Sequence, residues 1–477
     1  MPPASAYRPD PRFARFNEAN AGAFADPVAP ARFAAPKLRF RNDAHAPQIG
    51  LGSLTPAEWE AAFARFEPLP QNIPAPLAIR YHGHQFRVYN PDIGDGRGFL
   101  FAQMRDAKGR LLDFGTKGSG QTPYSRRGDG RLTLKGGVRE ILAAEMLEAL
   151  GVNTSKAFSL FETGEALERH DEPSPTRASV LTRLSHSHIR FGAFQRLVYH
   201  DRPDLIRVLI DHVIENYYPA LADEGPEARP ARLLHEIAAA SARLAAGWMA
   251  AGFVHGVLNT DNLNVTGESF DYGPWRFLPT SAPAFTAAYF DESGLYAFAR
   301  QPEAVSWNLS QLAGCFTLVS ETAPLEEALS QFAPLYQRAL RDAMLTRLGL
   351  TPGELRPDLE FLQPLFEWMT QSQIGWAQFF HDWFGGPASS ERARAGPAKA
   401  FYESPNFAPL RAELEKRTPA RPERLTHPYF STPTPCDMLI EEMEALWAPI
   451  AEHDDWAAFE AKIAAIRAMG DALDIRA

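Results

Sequence analysis

The sequence predicts an α+β chain of two unequal lobes. A small mixed sheet-plus-helix lobe precedes a larger helical lobe, with extensions at both ends. Three observations predict it. Residues 75–187 alternate short apolar runs with Gly-rich or polar turns, the texture of strands, around a single helical segment. From about residue 190, long amphipathic segments replace that texture. Glycine runs crowd the first region, whereas a polar, turn-rich stretch follows the longest helix of the second.

The elements follow in order. Residues 1–74 are rich in Pro, Ala and Phe with weak periodicity and read as an extension wrapping a larger body. Within it, PAEWEAAFARF at Pro56 to Phe66 reads as a short helix, with Thr55 as N-cap and Pro56 at the first helical position. Phe99 to Met104 and Leu111 to Phe114 flank a polar turn at Asp106 to Gly109, a hairpin signal. Glycine runs lie at Gly94 to Gly98, Gly115 to Gly120 and Gly128 to Gly130. Leu134 to Leu150 reads as a helix stopped by Gly151, and Ala157 to Glu162 and Ser179 to Leu184 as strands. In 188–383, helices are expected at Leu205 to Tyr217, Leu233 to Ala251, Glu303 to Leu318, Pro324 to Leu348 and Leu359 to Asp382. Residues 384–436 read as a long Pro- and Gly-rich linker. Helices at Met438 to Ala448 and Trp456 to Ala468 complete the 384–477 region.

Composition narrows the function. The 477 residues carry 48 Lys plus Arg against 58 Asp plus Glu, a formal charge of −10. That balance argues against a general nucleic-acid binder but leaves room for a local basic pocket. Two cysteines, Cys315 and Cys436, exclude a disulfide scaffold and fit a reducing compartment. The opening MPPASAYRPDPRFARF lacks the apolar core of a secretory signal, and no run reaches the ~18 apolar residues of a membrane helix. The expectation is a cytoplasmic protein with no membrane and no nucleic-acid partner.

The chemistry concentrates in a few segments. His255 to Asn262 reads HGVLNTDN, and Asp271-Tyr272-Gly273 follows. Kinases of small molecules carry HGDxxxxN and then a DFG turn, whose Asn and Asp hold Mg²⁺ against phosphate oxygens. Asn262 and Asp271 match those ligands; the alternative is that both merely shape turns. Val257 stands where a kinase places its catalytic Asp, and valine accepts no proton, so ordinary γ-phosphoryl transfer is not expected. Asp261, close by, is the candidate base, or else a loop-capping turn residue. Lys117 in GTKGSG and Glu140 on the next helix match, in order and element type, a phosphate-holding lysine oriented by a glutamate. Arg97, Arg126, Arg127, Arg131, Arg183 and Arg190, set among Gly-Asp and Gly-Ser turns, read as an anion pocket, since guanidinium forks bind polyphosphate. No P-loop, dinucleotide fingerprint, GxSxG elbow or HExxH motif is present. His82, His84, His186 and His188 admit a zinc reading, set against hydrogen-bonded structural histidines. Together the two lobes, the glycine loops and the DYG turn suggest a protein-kinase-like fold.

Three segments carry a closer likeness: NPDIGDGRG (Asn90 to Gly98), KGSGQTPYSRRGDGR (Lys117 to Arg131) and HGVLNTDN…DYGP (His255 to Pro274), with ARQPEAVSWNLSQLA (Ala299 to Ala313) beside them. On these the chain resembles the selenoprotein O (SelO/YdiU) family, over about residues 75–315. The resemblance implies a kinase-like pseudokinase that transfers AMP from ATP, with Mg²⁺ or Mn²⁺, to Ser, Thr or Tyr hydroxyls of proteins, releasing pyrophosphate. The choice between ATP and UTP as donor is left open. It implies a nucleotide held flipped relative to a kinase. It implies ATP contacts from Gly94, Gly96, Arg97, Lys117, Asp129, Gly130, Arg183 and Arg190, metal ligation by Asn262 and Asp271, Asp261 as proton acceptor, and Glu140 orienting Lys117. A phosphotransferase using the γ-phosphate and a non-catalytic nucleotide-binding scaffold are the alternatives. The sequence departs from the family at Arg87, where Gly is usual, at the glycine-rich Lys135-Gly136-Gly137, and after about residue 385, where it ends ALDIRA without a Cys-x-x-selenocysteine pair.

Overall fold

The computed structural model describes residues 6–170 and 172–475. The first five residues of the segment read against a secretory signal, and the last two of ALDIRA, lie outside the described residues. The architecture is mixed α+β, built on an eight-stranded sheet. Its strands are β1 (Ala25–Pro27), β2 (Lys37–Arg41), β3 (Leu77–Ile79), β6 (Leu100–Arg105), β7 (Leu111–Lys117), β8 (Leu132–Thr133), β9 (Lys156–Leu167) and β10 (Thr176–Ser185). A separate hairpin, β4 (Gly83–Gln85) with β5 (Val88–Asn90), stands apart. The sheet order is β1-β3-β6-β7-β10-β9-β2, with β8 beside β10.

Residues 6–74 are more than a wrap. β1 pairs with β3 at one end of the sheet and β2 with β9 at the other, so the extension supplies both edge strands. Edge strands of only three and five residues offer little template for unwanted strand pairing. Helix α1 (Arg12–Ala19) precedes β1 and sets Phe13 and Phe16 against the His212 ring, and α2 (Pro56–Phe63) follows β2. Thr55 caps α2 in a capping box with Glu58, as its sequence predicts. The buried face of α2 sets Trp59 and Phe63 against Phe158 and Phe114, at ring separations of 5.1 and 5.3 Å. The Trp59 indole N–H donates to the Ser159 hydroxyl at 2.9 Å, so this aromatic layer carries no unpaired donor there.

The predicted hairpin is β6–β7, and its turn is fixed by the Asp106 carboxylate, which accepts from the Arg110 N–H at 2.9 Å. β7 is buried along its whole length. Helix α3 (Leu134–Ala149) starts at Thr133, whose hydroxyl accepts from the Gly136 N–H, and ends before Gly151. Gly137 accounts for the glycine-rich helix start: a β-carbon there would sit 2.5 Å from Leu160 and 2.9 Å from the Ser179 hydroxyl. The missing side chain lets α3 lie directly on β9 and β10.

Beyond β10 the chain is mainly helical: α4 (Phe191–Tyr199), α5 (Pro203–Tyr217), α6 (Arg229–Ala251) and α7 (Gln301–Phe316), with the short pair β11 (Phe253–Val254) and β12 (Arg276–Phe277) after α6. Two expected helices are each split. Pro324 to Leu348 divides into α8 (Thr322–Ser330) and α9 (Phe332–Arg347), because Pro334 supplies no N–H and crowds the preceding turn. Leu359 to Asp382 divides into α10 (Leu355–Ser372) and α11 (Trp376–Asp382), with Gln373 in the left-handed region and Gly375 between them. The 384–436 region is not a linker. It holds helices α12 (Ser390–Ala395), α13 (Lys399–Tyr402) and α14 (Ala408–Lys416), seated on a core of Trp368, Trp383, Tyr402 and Phe407. The last helices, α15 (Ile440–His453) and α16 (Ala457–Leu473), return to α3, where Arg467 forks onto the Glu145 carboxylate at 2.7 and 2.8 Å. Among the described residues, no helix is long and apolar enough to cross a membrane.

Candidate active site

A cleft of about 740 Å³ opens where the C-terminal end of β7 and the loops around Gly96 and Gly128 face the turns at 257–262 and 271–274. All six arginines singled out from the sequence line it. So do Gly94, Gly96, Lys117, Asp129, Gly130, Asp261, Asn262 and Asp271. Glu140 does not line the cleft but lies immediately behind it.

Strand register explains the basic wall. In the β7–β10 pair, Lys117 is opposite Leu181 and Arg183 opposite Gly115. Residues opposite each other, and those two apart along a strand, share a face, so Lys117 and Arg183 project to the same side. α3 covers that side and brings Glu140, 2% exposed, into a close ion pair with the Lys117 ammonium. The ammonium also lies 3.3 Å from Asp271. Arg183 donates to one Asp271 oxygen at 2.6 Å and Arg190 to the other at 2.7 Å. Burial alone would push the Asp271 carboxyl up, but Arg183, Lys117 and Arg190 outweigh it and hold it well below the usual carboxylate range.

Arg190 is the hub. It also donates to the Asp261 backbone carbonyl at 2.6 Å, faces Asp95 at 3.7 Å and stacks on the rings of Tyr81 and Phe270 at 4.7 and 4.8 Å. One guanidinium thus ties the 261 turn to the 271 turn. The histidine of the HG motif does related work: His255, fully buried, has its Nε2 2.9 Å from the Phe270 carbonyl, just before Asp271. Burial lowers its pKa, so the neutral ring donates. Asp271 itself has φ of +60°, a conformation Asp tolerates better than most side chains.

Asp261 differs from Asp271. Burial drives its carboxyl upward against the pull of Arg190, and the result is about 6. The Gln85 side chain faces the carboxylate, yet Oδ1 is buried with no hydrogen-bond partner. An unpaired buried carboxylate oxygen is costly and marks a place where a further group is accommodated. Asn262 donates its side-chain N–H to the Val257 carbonyl at 3.0 Å, leaving its amide oxygen unengaged by protein. Val257 lines the same cleft and offers no proton acceptor.

A hard divalent cation takes oxygen ligands. Among the described residues, no group of three or more His, Cys, Asp or Glu side chains is arranged to hold a metal. The set present is the Asn262 amide oxygen and the Asp271 carboxylate, whose oxygens also accept from Arg183 and Arg190. This suits an ion that takes one or two protein oxygens and completes its shell with phosphate and water, so the residues fit.

The remaining sequence-predicted residues sort clearly. Gly94 lies under the Tyr124 ring, 2.5 Å from where a β-carbon would stand, so any side chain would be expelled. Asp129 is held at the rim by Arg169 at 2.8 Å. Three of the four candidate zinc histidines have hydrogen-bonding partners in the protein: His82 the Tyr89 hydroxyl, His84 the Gln195 amide and His188 the Asp113 carboxylate; the His186 ring packs edge-on to Tyr217 at 5.4 Å. Cys315 is buried and Cys436 half-buried; both are free thiols. Sequence reasoning missed Tyr81, Gln85 and Asp95. Asp95 sits inside the GDGRG run and could have been flagged there; nothing marks Tyr81 or Gln85.

The site defines a class: a cleft of glycine turns and arginines, two of them buried, whose chemistry suits an anionic ligand beside an unpaired carboxylate. Comparison with known proteins makes this particular. Residues 11–467 match the family described as protein adenylyltransferase SelO, and the chain belongs to that family of nucleotidyltransferases. It is 44% identical over 467 residues to the protein nucleotidyltransferase YdiU of Synechococcus elongatus, covering 94% of this chain and 93% of that one. Its likeness to the protein of that name in Trichormus variabilis is 42% over 467 residues, 93% of each chain. The Pseudomonas putida F1 protein is 40% identical over 375 residues, 78% of this chain and 74% of that one. The resemblance read from residues 75–315 is borne out and extends further, since the match runs over 11–467 and so continues past residue 385, where a poor match was expected.

Proposed function

We propose that this protein transfers AMP from ATP to Ser, Thr or Tyr hydroxyls of target proteins and releases pyrophosphate. The proposed organisation is a two-lobed protein-kinase-like body, 75–187 and 188–383, with 1–74 and 384–477 as extensions. A cytoplasmic setting, suited to two free thiols, is part of the reading.

The observation that carries it is the pairing of Val257, which cannot act as base, with Asp261, whose buried Oδ1 lacks a partner beside the arginine wall. In the proposed reaction the acceptor hydroxyl gives its proton to Asp261, and its oxygen bonds to the α-phosphorus. The bond from that phosphorus to the α–β bridging oxygen breaks, and pyrophosphate departs. Arg97, Arg183 and Arg190 offset the charge that accumulates on the leaving group, with Gly94, Gly96, Asp129 and Gly130 shaping the nucleotide's berth. Lys117, steadied by Glu140, holds a phosphate oxygen. Asn262 and Asp271 would hold Mg²⁺ or Mn²⁺, which would supply positive charge to offset that of the phosphates.

The test is incubation with ATP labelled on the α- or the γ-phosphate, with Mg²⁺ or Mn²⁺. Protein should acquire label from the α position and lose that ability in Asp261→Ala. Label arriving only from the γ position overturns the proposal in favour of a phosphotransferase. ATP binding without any transfer, unchanged in Asp261→Ala, overturns it in favour of a scaffold. UTP in competition measures donor preference.

A further inference from the structure

Most of the large apolar side chains exposed among the described residues gather beside one rim of the cleft. Val88 is 70% exposed, Tyr289 87%, Phe290 49% and Phe285 38%. Val88 lies at the tip of the β4–β5 hairpin, and Phe290 lies 5.7 Å from Phe86 of the same tip and 5.1 Å from Tyr289. Soluble proteins rarely leave such a cluster uncovered without a partner for it.

The underside of this patch is fastened to the turn that carries Asp261. The His84 N–H donates to the Thr260 hydroxyl at 2.7 Å, and the Phe86 N–H to the Asn259 side-chain oxygen at 3.0 Å. The Tyr296 hydroxyl donates to that same oxygen at 2.8 Å. The 285–290 segment passes the other side of the loop, where Ala287 fills the space a β-carbon of Gly256 would need. The hairpin tip is held in a costly shape: Phe86 and Arg87 both take left-handed φ, +50° and +64°. That is the reason glycine suits position 87 and marks arginine there as a choice with a use. Arg87 stacks on Trp307 at 5.3 Å and pairs with Glu303 at 3.3 Å, so its charge is offset and the patch presents apolar surface.

We propose that this patch is the acceptor platform of the enzyme. It docks an extended segment of a target protein whose hydroxyl residue is flanked by apolar side chains, and delivers that hydroxyl to Asp261. The inference rests on the adenylyl-transfer reading and adds the chemistry of the acceptor. Two rims of opposite character favour it. The arginine rim answers to phosphate, whereas Arg87 at the hairpin tip is held by Glu303 and Trp307, and the exposed side chains that make the patch are apolar. Continuity with the base does the rest, because a segment lying across Phe86 and Phe290 runs past the Asn259–Asp261 turn.

The test uses two fluorescein-labelled peptides with a central serine, one flanked by leucine and phenylalanine, the other by glutamate. The variants are Tyr289→Ser with Phe290→Ser, and separately Val88→Ser; all three side chains are exposed, so folding is not at stake. In wild type the apolar peptide should bind at least about tenfold more tightly by anisotropy, and be labelled from α-labelled ATP with a correspondingly lower KM. The double variant should lose most of that preference, while affinity for a fluorescent ATP analogue stays within about twofold. Equal peptide binding by wild type and variant overturns the platform. Parallel loss of ATP affinity does so too. A concentration-dependent dimer that dissolves in the variant, with no peptide preference, overturns it in favour of a second copy as occupant. If the peptide preference holds but no label is transferred, adenylyl transfer fails and the docking surface stands.

Discussion

Replacing Glu140 by Gln keeps its shape and removes its charge, which isolates what the ion pair with Lys117 does. Glu140 is 2% exposed and Lys117 7%. Removing one member of a buried pair costs about 3–5 kcal/mol, because the other charge is stranded. Here Lys117 is not fully stranded, since Asp271 lies 3.3 Å from it. Glu140 also faces Arg183, at 4.0 Å. The expected loss is therefore near the lower end, about 3 kcal/mol. For a chain this long that corresponds to roughly 6 °C in Tm, at ~2 °C per kcal/mol. Lys117→Gln should cost a similar amount. The double variant should cost less than the sum, with a coupling of about 2 kcal/mol, because no unpaired charge is left. Activity should respond differently: AMP transfer should fall about a hundredfold in Glu140→Gln through loss of Lys117 placement, with protein concentration and fold matched by circular dichroism. Strict additivity of the two stability losses, or full activity in Glu140→Gln, would refute the claim that Glu140 positions the lysine.

Two further outcomes follow from the same structure. Asp271→Ala should abolish AMP transfer measured with α-labelled ATP, and it should also lower Tm in the absence of ligand, because Lys117, Arg183 and Arg190 lose the carboxylate they share. Retained transfer at matched folding would remove Asp271 from the catalytic set. The second concerns Glu268, which is buried, accepts from the His186 N–H at 2.9 Å and is pushed by burial up to about 7. Its folded-state pKa is raised, so the folded protein holds a proton there that the unfolded chain releases between about pH 4.5 and 7. Stability from this group is present at acid pH and lost as pH rises from about 4.5 through 7, about 3 kcal/mol at most. Glu268→Gln should flatten the pH dependence of the urea midpoint between pH 5.5 and 8; parallel curves for wild type and variant would refute it.

What was legible in the sequence is what has a local cause. The Thr55 cap, the Asp106 turn and the Gly151 stop act within a few residues, and each is where the pattern puts it. The cleft was legible for a related reason: glycine runs, HGVLNTDN and DYG are short segments whose residue types are dictated by oxygen ligands and phosphate. What failed was nonlocal. β1 and β2 are three and five residues long and have strand character only because β3 and β9 offer them edges. The helices in 390–416 take their order from Trp368 and Trp383, which lie outside the segment on or beside the two preceding helices, and the composition of the segment itself suggests a linker.

The same distinction runs through the site. Lys117, Glu140, Arg183 and Asp271 could be named from motifs, but their common focus comes from the β7–β10 register and from Gly137 letting α3 approach. Tyr81, Gln85 and Asp95 could not be named, because each acts only through a partner the fold supplies: two support Arg190 and one faces Asp261. Arg190 shows why this matters. Alone in sequence it is one arginine of many. In the fold its guanidinium spans the Asp261 carbonyl and the Asp271 carboxylate, so the distance between proposed base and proposed metal ligand is set by a residue 71 positions from the nearer of them. A substitution at Tyr81 that lets this guanidinium tilt should therefore disturb both aspartates at once while touching neither.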